Sequence, residues 1–266
     1  MKILIIGCGN MGGAMLAGWL RGGFAPDIFT VVDPIVPHVP AGVKLLREVP
    51  PSGAIFDVIL LGVKPQQLGD AADAVAALAG PETELLSILA GVDLATLHRR
   101  FPEAGGIVRV MPNLAAALGK SPIGLFGDRK SGRDALIEEL MAPLGHAEWL
   151  AGESLMDAVT ALSGSGPAFV YRVIDALAAG GAELGLPREQ ADRLALAMVE
   201  GAAMLAAQAR VSPGELARRV ASPGGTTQRG LDVLDADQAL GKLMETTLRA
   251  ARDRGAEMAA EARNSG

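Results

Sequence analysis

The sequence predicts a parallel α/β domain followed by an all-α domain, on three observations. Short β-branched runs alternate with helical patterns in the first half. After about residue 152 those runs stop and alanine-rich helical periodicity takes over. Half of the 266 residues are hydrophobic but only 3% are aromatic, so the core is Ala, Leu, Val, Ile and Met, which suits helices packed closely on a sheet. This length accommodates one large domain or two medium ones. The change in pattern puts the first domain at residues 1–151 and the second at 152–266.

Strands are expected at residues 2–6, 28–32, 57–62, 84–88 and 106–111. Each is apolar at consecutive positions, as for strands buried on both faces. Helical patterns at 10–21, 65–78 and 94–101 fill the gaps. This order implies a parallel sheet with right-handed crossovers. Residues 123–126 and 147–150 add edge strands around a helix at 132–141. The second domain reads as helices at 153–161, 167–184, 188–209, 212–220, 226–234 and 238–262. Pro167 suits a first helical turn, and Gly185 followed by Pro187 ends one helix and starts the next. The helices at 167–184 and 188–209 are long, apolar and rich in Gly and Ala. They suit either an internal core pair or an intersubunit bundle.

Charge and cysteine content exclude several classes. The formal charge of −6 argues against nucleic acid as a main partner, since phosphate binding needs a basic face. The single cysteine, Cys8, excludes an intrachain disulfide and a multi-cysteine metal site, and fits a reducing compartment. The apolar run before Cys8 is too short for a signal peptide and reads as a buried first strand. No stretch of about 18 apolar residues free of charge follows. A soluble, cytoplasmic protein with no metal and no membrane partner is expected.

Two glycine-rich turns carry the chemistry. Gly7-Cys8-Gly9-Asn10-Met11-Gly12 follows an apolar strand and opens a helix, the context in which this spacing binds a dinucleotide. Gly7 makes the tight turn, Gly9 lets a pyrophosphate approach the backbone, and Gly12 lets helix and strand pack. Asp33 closes the second strand, where a carboxylate accepts hydrogen bonds from the adenosine ribose or serves only its own loop. Val63-Lys64-Pro65 ends the third strand, so Lys64 either approaches a ligand or is solvated. Asn113 ends the fifth, and either orients a nicotinamide carboxamide or holds an adjacent loop. Ser163-Gly164-Ser165-Gly166 opens the helical domain. Late in the chain, Ser222-Pro223-Gly224-Gly225-Thr226-Thr227 forms a second turn before a helix, whose backbone N–H groups and hydroxyls make a cradle for a small anion. The three histidines form no triad-like pairing. One cradle for a cofactor and one for a small substrate indicate an enzyme.

Taken together, these blocks resemble the pyrroline-5-carboxylate reductase family. The resemblance runs from the first strand to the last helix. It is carried by residues 7–12, Val63-Lys64-Pro65-Gln66, Ala90-Gly91, Val110-Met111-Pro112-Asn113, Ala161-Leu162-Ser163-Gly164-Ser165-Gly166-Pro167-Ala168, Gly185-Leu186-Pro187-Arg188 and Ser222-Pro223-Gly224-Gly225-Thr226-Thr227. It is loose between residues 33 and 51. It implies an α/β Rossmann dinucleotide-binding domain followed by an all-α dimerisation and substrate domain. It implies reduction of the C=N bond of L-1-pyrroline-5-carboxylate to L-proline by NADPH or NADH, in a homodimer often assembled into a decamer of five dimers.

By this analogy Thr227 hydrogen-bonds the ring nitrogen. Ser222, Gly224, Gly225 and Thr226 hold the substrate carboxylate. Gly7, Gly9, Asn10, Met11, Gly12, Asp33, Val63, Lys64, Pro65 and Asn113 hold the cofactor. Asp33 leans the expectation toward NADH, because its carboxylate repels a 2′-phosphate and the nearest basic residues, Lys44 and Arg47, lie beyond a Pro-rich loop. A hydroxyacid or imine dehydrogenase of the same architecture would carry a lysine in the early helices of the second domain, and residues 167–184 and 188–209 contain none. A regulator without turnover is disfavoured by the intact Thr227 and Gly224-Gly225.

Overall fold

The computed structural model describes residues 1–64, 68–128 and 133–264. The chain divides into two units. Residues 1–164 and 251–266 form the first, and residues 165–250 the second.

The first unit is built on eight strands: β1 (Ile3–Ile6), β2 (Phe29–Val32), β3 (Lys44–Leu46), β4 (Val58–Leu61), β5 (Glu84–Ser87), β6 (Gly106–Met111), β7 (Ser121–Gly127) and β8 (Gly145–Trp149). Their order is β3-β2-β1-β4-β5-β6-β7-β8, parallel through β6. β7 runs antiparallel to β6, and β8 runs parallel to β7. The order reverses between β1 and β4, and ligands of such sheets bind at the carboxyl ends of the strands at that point.

Alternation within β1 explains the layering. Ile3 and Ile5 pack on one face with Met15, Leu16, Trp19 and Phe29. Leu4 and Ile6 pack on the other with Ile59, Leu61, Val75, Leu97 and Phe101. The helices on these faces are α1 (Asn10–Arg21), α2 (Leu68–Ala76), α3 (Leu94–Arg100) and α4 (Asp134–Met141). The few aromatics are concentrated: Trp19 stacks on Phe29 with ring centroids 5.6 Å apart, and its Nε1–H donates to the Leu140 carbonyl at 2.7 Å.

Among the described residues, the structure differs from the sequence expectation at β3 and at the helix expected over 153–161. β3 was not anticipated, because three residues after a Pro-rich loop leave almost no periodicity. The start expected for the second helix, residues 65–67, lies outside the described residues. The expected helix at 153–161 is a 3₁₀ turn (Glu153–Leu155), a short α5 (Met156–Val159) and a π-helical turn (Thr160–Gly164). These pieces belong to the first unit, beyond the sequence boundary at 151, because they are tied to the sheet. Glu153 Oε1 accepts from Arg109 Nη1 at 2.6 Å and from the Leu94 N–H at 2.7 Å. Met156 is buried, and Val159 fills the space where a Cβ on Gly124 would sit.

The second unit holds α6 (Gly166–Glu183), α7 (Arg188–Gln208), α8 (Pro213–Val220), α9 (Thr226–Asp235) and the start of α10 (Ala239–Asn264). α6 and α7 pack on each other through Ile174, Ala178, Ala191 and Ala195. A Cβ on Gly181 would lie 3.5 Å from that of Ala191, so the small residues set a close approach. Arg188 closes the turn, with Nη2 on Asp175 at 2.7 Å and Nε on Asp192 at 2.8 Å.

Candidate active site

The first cradle forms where β1 runs into α1. Gly7 has φ +86° and donates its N–H to the Val32 carbonyl at 2.8 Å. A Cβ there would lie 2.8 Å from the Val63 nitrogen, and one on Gly12 would lie 2.6 Å from the Gly7 carbonyl oxygen. Both positions therefore require glycine. Gly9 differs: a Cβ would meet nothing within 4 Å, and its side faces open space. Gly9 caps α1 with no side-chain hydrogen bond, and its carbonyl accepts from Gly13. The N–H groups of Asn10, Met11 and Gly12 thus have no intrahelical acceptor and sit at the positive end of the helix. This is the arrangement a pyrophosphate fits.

A cavity of 740 Å³ opens at this point of the sheet, lined by Gly7, Gly9, Asp33, Arg47, Val63 and Lys64 among others. Five of the ten residues expected to hold the cofactor line it, namely Gly7, Gly9, Asp33, Val63 and Lys64, and Asn10, Met11 and Gly12 follow on the first turn of α1. Pro65 lies outside the described residues. Asn113 is buried at the carboxyl end of β6 and is not among the residues lining this cavity.

Asp33 serves its own loops. Its Oδ2 accepts from the Cys8 N–H at 2.8 Å, and its Oδ1 accepts from the N–H groups of Ile35 and Val36 at 2.8 and 2.9 Å. Burial pushes this carboxyl up, but those hydrogen bonds and the Arg47 charge outweigh it and hold it below the usual range. Three of about four acceptor sites are engaged, so a two-point grip on a ribose diol is not available. The carboxylate stays ionised, so the repulsion of a 2′-phosphate behind the lean toward NADH persists, but the Arg47 guanidinium stands beside it and offsets that charge. The backbone amide held by Asp33 belongs to Cys8, whose thiol is pushed up to about 11 by burial and then by the Asp33 charge. It stays protonated at neutral pH and is no nucleophile.

Sequence reasoning treated Arg47 as remote. β3 pairs with β2 in the register Val32↔Leu46, and this sets Arg47 beside Asp33. Arg47 Nη1 donates to the carbonyls of Asp33 at 2.9 Å and Val36 at 2.6 Å. The signal was the short run Val43-Lys44-Leu45-Leu46, apolar enough for an edge strand and too short to stand out.

Asn113 holds loops. Its Oδ1 accepts from the Ala115 N–H and caps the 3₁₀ turn Leu114–Leu118, while its Nδ2 donates to the Ser163 carbonyl, both at 2.9 Å. Its own N–H donates to Ser121 Oγ at 2.9 Å. Of the two roles left open by the sequence, the structure shows the second.

The other cradle lies in the second unit. Pro223 and Gly224, with φ +73° at Gly224, occupy the central positions of a turn that Gly225 N–H closes on the Ser222 carbonyl at 2.9 Å. Pro followed by a positive-φ Gly marks a type II turn. Gly225 then caps α9 with no side-chain hydrogen bond. Its N–H is engaged in the turn, so it is not a donor to a ligand as expected. The N–H groups of Thr226, Thr227 and Gln228 have no intrahelical acceptor, since Arg229 N–H is the first to bond back, to Gly225. Thr226, Thr227 and Ser222 are exposed. Among the described residues no cluster of three or more His, Cys, Asp or Glu side chains is placed to hold a metal, and no single helix is long and apolar enough to cross a membrane.

A sheet of order 3-2-1-4-5-6 with a glycine-rich β1–α1 turn, followed by a helical unit, defines a two-part dinucleotide-binding protein. Residues 153–258 match the family model described as pyrroline-5-carboxylate reductase dimerisation. The chain is 35% identical to pyrroline-5-carboxylate reductase of Pseudomonas aeruginosa over 97% of each chain. The solved structure of the Coxiella burnetii pyrroline-5-carboxylate reductase superposes with a TM-score of 0.88 at 30% identity, covering 96% of this chain and 97% of that one. The Plasmodium falciparum pyrroline carboxylate reductase, solved with NADP bound, shares the fold with a TM-score of 0.79 at 23% identity, covering 97% and 98%. The chain belongs to the pyrroline-5-carboxylate reductase family.

Proposed function

We infer that this chain reduces L-1-pyrroline-5-carboxylate to L-proline with a nicotinamide dinucleotide, the final step of proline biosynthesis. The observation that carries this reading is the 35% identity to a pyrroline-5-carboxylate reductase across 97% of each chain. The open face at Gly9 and the three unpaired N–H groups of the first turn of α1 fit the cofactor's pyrophosphate. When bound, the nicotinamide supplies the hydride to the ring carbon of the C=N bond, and the ring nitrogen ends with a proton.

The chain's own groups bind and orient. The N–H groups of Thr226, Thr227 and Gln228, with the Ser222 hydroxyl, hold the substrate carboxylate without a basic side chain. Gly224 and Gly225 shape that turn. The Thr227 hydroxyl faces the ring nitrogen. A protonated imine already accepts hydride well, so position and orientation are the protein's main contribution. Gly7, Gly12, Val63 and Lys64 frame the cofactor, and Asn113 braces the loop at Ser163.

Within the expected second domain of residues 152–266, the helices of residues 165–250 serve dimerisation and substrate binding. The inferred assembly is a homodimer through these helices, with a decamer of five dimers as its higher form. A single, buried and protonated thiol suits the cytoplasm. The test is oxidation of NADH or NADPH by purified protein, with pyrroline-5-carboxylate and with a 3-hydroxy acid. Turnover with the imino acid alone is expected. Brisk turnover of the hydroxy acid, with none of the imino acid, would sink the reading.

A further inference from the structure

The wall of the cavity around Asp33 carries more charge logic than the sequence suggested, and the inference from it rests on the dinucleotide reading above. Among the described residues, four charged groups line this cavity: Asp33, Arg47, Glu48 and Lys64. Asp33 is matched in place by three backbone N–H groups. The guanidinium of Arg47 stands at the same turn, with Nη1 on the carbonyls of Asp33 and Val36. A guanidinium has five N–H donors in a planar fork. Among the described residues, the Nε and Nη2 donors of Arg47 meet no protein acceptor, and the side chain is exposed. The loop after β2 is where the adenosine ribose lies in such folds; an acidic residue there grips the 2′-hydroxyl, whereas a nearby arginine accommodates a 2′-phosphate. Here the acid is engaged by backbone and the arginine has donors to offer.

We propose that Arg47 sets the coenzyme preference of this chain, its guanidinium taking the 2′-phosphate of the adenosine ribose so that the site favours NADPH over NADH. The fork is held by its two carbonyl bonds, so little ordering is needed when the phosphate arrives. Glu48 and Asp33 are the opposing charges, and Asp33 is already compensated.

Direct binding to the full chain, without imino acid, tests this. Titration by NADPH and NADH fluorescence is expected to give a dissociation constant about tenfold or more lower for NADPH. Adenosine 2′,5′-bisphosphate is expected to displace bound NADPH at about tenfold lower concentration than 5′-AMP, which differs only in the missing 2′-phosphate. Arg47→Gln removes the charge but keeps an amide donor for the two carbonyls. It is expected to weaken NADPH about tenfold while NADH changes less than about threefold. Arg47→Lys retains the charge and most of the preference. Equal weakening of both coenzymes by Arg47→Gln would mean that Arg47 only holds the loop, and a wild type that binds NADH at least as tightly would equally overturn the proposal. Binding of neither coenzyme would overturn the dinucleotide reading and the proposal together, whereas binding of both without discrimination overturns the proposal alone.

Discussion

Single side chains in this protein divide by whether they face a ligand or hold the backbone that does. Thr227 is exposed on the first turn of α9, where neither its hydroxyl nor its N–H closes a helical bond. Removing the hydroxyl should leave folding nearly untouched and act on catalysis. Thr227→Ala is expected to lower kcat/KM by roughly 10–100-fold, or ~1.4–2.7 kcal/mol of transition-state stabilisation. Steady-state kinetics with pyrroline-5-carboxylate check this, and wild-type values would reduce Thr227 to a helix-start residue. Glu84 is a different kind of residue. It opens β5, fully buried, and neither carboxylate oxygen has a hydrogen-bond partner among the described residues. Burial pushes its carboxyl up to about 7, with Arg133 pulling it down and Asp128 and Asp134 raising it. A folded-state value above the unfolded one favours the protonated acid in the fold. The Glu84 contribution to stability is therefore fullest below pH 4.5, falls as pH rises toward about 7, and is lower by ~3 kcal/mol beyond it. Glu84→Gln cannot ionise and is expected to flatten this profile. Urea denaturation of both proteins at pH 5 and pH 8 measures it, and an equal pH dependence in the two would clear Glu84 of the effect.

At the scale of elements, the parts that could be read from sequence are those whose signal is repeated. Runs of apolar residues revealed β1, β2, β4, β5 and β6, because burial on both faces favours them at consecutive positions, even where Thr30, Glu84, Ser87 and Arg109 interrupt the run. The two cradles were legible because glycine is required where a Cβ would strike backbone, as at Gly7 and Gly12, or where φ is positive, as at Gly224. What stayed hidden depends on pairing across the chain. β3 is three residues long and acquires meaning only from its register with β2. The destination of the Asp33 carboxylate could not be read either, since a turn and a ribose ask for the same residue. Asn113 shows how such long-range ties work. Its side chain caps the turn Leu114–Leu118 and anchors Ser163, 50 residues away in the π-helical turn. Asn113→Ala leaves the Ala115 N–H and the Ser163 carbonyl without their partner, and should destabilise the first unit by ~2–4 kcal/mol. Asn113→Asp keeps the cap acceptor but loses the donor to Ser163, and should cost less than Ala. Chemical denaturation of the two variants ranks them. Equal losses would show that the tie to Ser163 contributes nothing.

The assembly of the whole molecule follows from a mismatch in the helical unit. Among the described residues its only buried apolar side chains are Ala178, Ala191 and Ala195, with Ile174 packed against them. Meanwhile Val170, Tyr171, Leu177, Leu194, Leu196, Met198 and Leu205 are between 46% and 70% exposed. A core of three alanines cannot hold two helices of 18 and 21 residues in water. An exposed apolar surface of this extent marks an interface. A second copy of the chain is the occupant that the family model for residues 153–258 names by its description as a dimerisation region. An obligate interface of this kind buries on the order of 2,000 Å² or more, and the folded subunit is then inseparable from its partner. Light scattering at micromolar concentration is expected to give at least a dimer, and the midpoint of thermal unfolding should rise with protein concentration. Leu196→Asp places a charge at an exposed apolar position of α7 and should abolish assembly and cooperative folding of the helical unit together, while the sheet-based unit keeps its fold. An active, concentration-independent monomer would mean that the apolar faces of α6 and α7 serve something other than a second copy of this chain.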